Sequence, residues 1–168
     1  MSFRLWYDEQ ITKAKGRAKI IILGSYDAME RLDNVKNHLR DNGYDRTCLV
    51  ANFEYPPKES GESIGEYYYR KSMYAMKYGD ILLFILLDKV RNEGVVSEIS
   101  FAANKLSKKV QFSTVFIEES YYPKLSRMVK GLIQRHKIDY GFFRNDDDLI
   151  KLAQGACSQH LHRLIWVW

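Results

Sequence analysis

Two runs of this chain, Ile20–Leu23 and Ile81–Leu87, are apolar at every position and only a few residues long. A short run without polar alternation fits a strand hidden on both faces, which requires a sheet with helices packed on either side. Tyr44–Ala51, Val110–Ile117 and Tyr140–Phe143 also read as strands, and a stretch with helical spacing follows each of the five. In the first such stretch Met29, Leu32, Val35 and Leu39 recur three or four residues apart, and Asn42-Gly43 supplies the stop. The other helices are expected at about Ile64–Tyr78, Val95–Leu106, Tyr122–His136 and Asp146–Leu164.

Five β-α units in succession imply a parallel sheet with right-handed crossovers. The expected fold is α/β, three-layered and flavodoxin/Rossmann-like, with strand order 2-1-3-4-5 and a ligand crevice where strands 1 and 3 end. Those ends are Gly24-Ser25 and the segment Asp88–Glu98. Residues 1–17 read as an N-terminal extension of uncertain structure, and 18–168 as one α/β domain of nucleotide-binding type. The closing Ile165-Trp-Val-Trp168 is apolar for a tail and is expected to pack on the body or on a neighbouring subunit.

A chain of 168 residues, 46% of them hydrophobic, can bury one ordinary core. The net charge of +5 favours anionic partners. Lysines and arginines alternate with acids over most of the chain, however, which argues against a nucleic-acid surface. No run approaches the ~20 apolar residues that cross a bilayer, and the start shows no signal-peptide plan, so no membrane partner is expected. The two cysteines, Cys48 and Cys157, form no CxxC pair, which suggests reduced thiols and a cytoplasmic location. Twelve tyrosines are a mild hint of a pocket or a subunit interface.

Gly24-Ser25 lies where a strand turns into a helix, a place that suits an anion or simply a tight turn. There is no GxGxxG and no GxxxxGK[ST], so neither a dinucleotide fingerprint nor a P-loop is present. Glu98 is expected in the first turn of its helix. There it either complements the helix dipole or, in a partly apolar cleft, serves as nucleophile or general base. Cys157, His160 and His162 do not make a zinc site: on one helix, residues 160 and 162 lie about 200° apart. No metal or cofactor is expected.

The series Asp80-Ile-Leu-Leu-Phe-Ile-Leu-Leu, then Asn92-Glu-Gly94, then Glu98 and Ala102, resembles the nucleoside 2-deoxyribosyltransferases and the related 2'-deoxynucleoside 5'-phosphate N-hydrolases. Leu125-Ser126-Arg-Met128-Val-Lys-Gly131 is similar to the hydrolase branch's LSxMxxG. The resemblance spans roughly residues 19–145. It implies cleavage of an N-glycosidic bond of a nucleotide or nucleoside, by hydrolysis or deoxyribosyl transfer, with Glu98 acting at C1' and no cofactor. It further implies that Gly24, Ser25, Asp88, Asn92 and Gly94 line the substrate site, and that Ser126 meets the phosphate across a homodimer interface. Two positions depart from the family pattern: Ser72 stands where an aspartate is usual, and Val96 where a glycine is. The flanking Arg70 and Lys71 are candidates for phosphate contacts. The Ser72 departure keeps a second reading open, a non-catalytic nucleotide-binding or signalling module on the same fold. A receiver-like or TIR-like domain is a third; Asp88 fits a receiver's third strand, but Leu23-Gly24-Ser25 lacks the acidic cluster required after the first.

Overall fold

The computed structural model describes residues 2–168. Its sheet has five parallel strands in the order β2-β1-β3-β4-β5, formed by β1 (Ile20–Leu23), β2 (Thr47–Leu49), β3 (Ile81–Leu86), β4 (Ser113–Glu118) and β5 (Asp139–Phe143). This is the three-layer arrangement expected from the alternation. Side chains alternate across a strand, so each apolar run feeds two cores. Ile20, Ile22, Leu83 and Ile85 join α1 (Phe3–Arg17), α2 (Met29–Asp41) and α7 (Asp146–Leu164) on one face. Ile21, Leu23, Leu82 and Phe84 join α3 (Ile64–Tyr78), α4 (Glu93–Lys105) and α6 (Arg127–Arg135) on the other. The short α5 (Ser107–Val110) leads into β4.

One open stretch gains structure and three expectations are corrected. Residues 3–17, read as an extension of uncertain structure, form a helix capped by Ser2 and docked through Ile11 and Ala14 onto the α2/α7 core. The second strand is shorter than expected, because Val50–Asn52 turns into a 3-10 helix. The expected Tyr122–His136 helix is broken: Tyr122–Lys124 forms a 3-10 turn, Leu125 is extended and buried, and α6 starts after Ser126. Finally, α4 begins at Glu93 rather than near Val95, which moves Glu98 out of the first turn.

At the tail, Ile165 packs on the core and the Arg17 guanidinium sits 4.5 Å from the Trp168 ring centre. Trp166 and Val167 remain exposed. No helix among the described residues is long and apolar enough to cross a membrane.

Candidate active site

The loops after β1 and β3 meet at the C-terminal edge of the sheet, where the strand order reverses. Between them lies a cavity of about 240 Å³ lined by Gly24 to Asp27 on one side and by Arg91, Glu93 to Val95 and Glu98 on the other. Glu98 lines it, and together with Gly24 and Tyr26 also borders a narrow recess bounded by Ile22, Met29, Leu32, Leu49 and Val50. Glu98 is partly exposed to the cavity, yet these neighbours strip most water from its carboxyl. Burial therefore pushes its pKa up to about 7, and a hydrogen bond from the Ser72 hydroxyl to Oε1 opposes only part of that rise. Ser72 itself is buried, one turn below the exposed aromatic face of α3.

The helix-dipole reading of Glu98 weakens here, because dipole stabilisation fades beyond the first turn and Glu98 is the sixth residue of α4. A carboxyl set among apolar groups, held by one hydroxyl and open on one side, is suited to gain or lose a proton near neutral pH.

The structure brings together Gly24, Ser25, Gly94 and Glu98. Gly24 is explained by packing: a Cβ there would lie 2.7 Å from Leu32 Cδ1. The Ser25 hydroxyl is engaged locally, accepting from Asp27 N. Gly94 is different, since a Cβ there would meet nothing within 4 Å. Space rather than backbone geometry distinguishes this position.

Other expected residues lie elsewhere or are engaged in holding the loops. Asn92 does not line the cavity. It is buried, and its Nδ2 donates to Leu87 O (2.7 Å) while Oδ1 accepts from Leu87 N, closing the β3–α4 loop. Asp88 is bound to Lys124 Nζ at 2.6 Å, which holds its carboxyl below the usual range. Ser126 caps α6 by accepting from Val129 N, away from the cavity. Arg70 is tied to Glu62 by two bonds of 2.8 Å and to Tyr55. Lys71 donates to Ala51 O, and burial lowers its pKa. Neither cation lines the Glu98 cavity.

Tyr26, Asp27, Arg91 and Glu93 are lining residues that motif reasoning missed, although loop position alone could have flagged them. Arg91 forks onto Asp27 (2.8 and 3.0 Å), tying the two loops together and holding Asp27 at about 2. The Tyr26 ring packs on Tyr68 (5.5 Å), which packs on Tyr67 (5.7 Å). Burial, then the nearby Glu98 and Tyr68, push the Tyr26 hydroxyl up to about 12.

Among the described residues no group of three His, Cys, Asp or Glu side chains is placed to hold a metal. His160 is buried against Thr114 Oγ1, whereas His162 pairs with the Tyr7 hydroxyl.

No protein-family model matches the chain, and no curated protein matches it. Solved structures do. A CMP N-glycosidase from Clostridium botulinum, BcmB, superposes with a TM-score of 0.52 at 15% identity, over 81% of this chain and 98% of that one. A conserved protein from Enterococcus faecalis V583 gives 0.56 at 12% identity, over 82% and 98%. At such identities the likeness is one of fold: 98% of each neighbour is matched, and about a fifth of this chain lies outside the match.

Proposed function

We propose that the protein cleaves the N-glycosidic bond of a nucleoside or nucleotide, with Glu98 as the nucleophile at C1'. The observation that carries this reading is the Glu98 carboxyl itself, set between the ends of β1 and β3 with a pKa raised to about 7. The fold shared with a CMP N-glycosidase supports the reaction class. Ser72 holds Oε1, which leaves Oε2 as the attacking atom, and the bond developing at an oxocarbenium-like carbon is what a buried carboxylate stabilises. The test is release of free base from a panel of nucleosides and 5'-nucleotides. Glu98→Gln should abolish release, and activity that persists in this variant would sink the assignment. Base exchange in the presence of a second free base would identify transfer rather than hydrolysis.

The neutral Ser72 favours one second reading, a ligand-binding module without turnover; tight binding with no base released would support it. Ser126 would enter the site only from a second copy. The exposed Phe142, whose ring packs on those of the exposed Tyr122 and Tyr140, and the exposed Met128 beside Ser126 offer a surface for such a homodimer. Sedimentation of the wild type against Phe142→Glu tests it, and an unchanged monomer would remove Ser126 from the proposal.

A further inference from the structure

The charge around Glu98 runs against the charge of the molecule. The chain carries a net +5, yet the ionisable lining of this cavity consists of three carboxylates, Asp27, Glu93 and Glu98, the Tyr26 hydroxyl, and a single cation, Arg91. Arg91 is already neutralised by its two bonds to Asp27. Among the described residues no unpaired lysine or arginine lines the cavity to take a phosphate. The aromatic wall of Tyr26, backed by Tyr68, presents π density instead, which attracts cations.

Proton supply points the same way. A neutral base leaves C1' as an anion unless an acid protonates it. Here Asp27 is held ionised by Arg91, and Glu93 is exposed to solvent. The Tyr26 hydroxyl is held too firmly protonated to be a strong acid. Glu98 cannot attack and donate in the same step. The departed Ser72 position removes a further candidate, because a hydroxyl stands there in place of a carboxyl.

We propose that the Glu98 cavity is suited to N-glycosides whose ring nitrogen is cationic, the N-ribosyl pyridinium class, rather than to neutral purine or pyrimidine glycosides. The proposal rests on the N-glycosidase reading above. Glu98 Oε2 bonds to C1' as the C1'–N bond breaks, and the electron pair stays on nitrogen, converting the pyridinium to a neutral pyridine without any proton. Water then opens the ester: its oxygen goes to C1', one proton stays on the new hydroxyl, the other is released, and Glu98 regains its carboxylate. A bound cation also favours the ionised form of Glu98, offsetting the effect of its burial.

Nicotinamide riboside, nicotinamide mononucleotide and NAD+ carry a cationic ring nitrogen, their dihydro forms serve as controls with an uncharged ring, and cytidine, CMP and dCMP supply a neutral base. Free base and released protons are both measured. The expected result is a kcat/KM for nicotinamide release at least ~100-fold above that for cytosine release, the scale of general-acid assistance. One proton should appear per turnover, with no cleavage of the dihydro forms and loss in Glu98→Gln. Cytosine release at an equal or higher kcat/KM overturns this inference and leaves the N-glycosidase reading standing. Absence of cleavage across the whole panel overturns both.

Discussion

At the scale of single residues, Glu98 is a carboxyl group whose burial opposes stability once it is ionised. Its folded pKa of about 7 exceeds the ordinary 4.5, so between these values the native state holds a proton that the unfolded chain has lost. Stability is therefore full below pH 4.5 and falls as pH rises through 7. Glu98→Gln should be inactive yet more stable than wild type above pH 7, by roughly 1–3 kcal/mol once solvent access is allowed for, with the difference vanishing below pH 4.5. Denaturant melts at pH 4 and pH 8 check this. If Glu98 attacks in its ionised form, kcat/KM should rise with pH to a limb near 7. Ser72→Ala removes the bond that favours the carboxylate and should move that limb upward. Gly94→Ala meets no steric obstacle and favours helix by up to ~1 kcal/mol. It should raise the melting temperature while raising KM, because the added methyl projects at the cavity. An unchanged KM would show that substrate does not approach this turn.

At the scale of elements, the site depends on how α3 and α4 lie against the sheet. The capping box of α3, Ser63 with Glu66, fixes where that helix starts and hence where Ser72 and Tyr68 fall. Ser63→Ala should cost about 1 kcal/mol of stability while leaving the pH limb in place, the reverse of Ser72→Ala; chemical denaturation and a pH–rate profile on both variants separate the two roles. Boundaries were readable where the signal is local. The α3 span was legible as far as Gly79-Asp80, which leads into the next strand, and β3 from its unbroken apolar run. The break at Leu125-Ser126 was not, because Leu125 continues a helical apolar pattern and only its buried, extended conformation between a 3-10 turn and α6 reveals the interruption. Likewise α1 lacks a clear apolar stripe, so nothing in its spacing announced a docked helix.

For the molecule as a whole, two buried groups oppose one another in pH. His160, on α7, faces Thr114 of β4 with Nδ1 unpartnered, and burial lowers its pKa to about 4. Between pH 4 and 6.5 the unfolded chain binds the extra proton, so this contribution is complete above 6.5 and is lost as pH falls toward 4. Its amplitude is roughly 3 kcal/mol. Glu98 acts in the opposite sense from 4.5 to 7, so wild-type stability should be nearly flat from pH 4.5 to 6.5. In Glu98→Gln the His160 slope should emerge, with stability rising across that window. A wild-type profile already steep there would contradict the opposition.

Sequence alone determined the layered architecture, the strand order and the loop pair that flanks the Glu98 cavity, because runs of apolar residues and helical periodicity are local and a β-α succession admits few topologies. It also offered Glu98 and Gly94 together. The tertiary structure decided which partners they meet. Ser72 reaches Glu98 across 26 residues, Arg91 reaches Asp27 across 64, and Asn92 turns inward to close a loop while Arg70 and Lys71 bind their own neighbours. Those outcomes depend on the rotation and register of whole helices. Packing sets these, and no spacing within one segment records them.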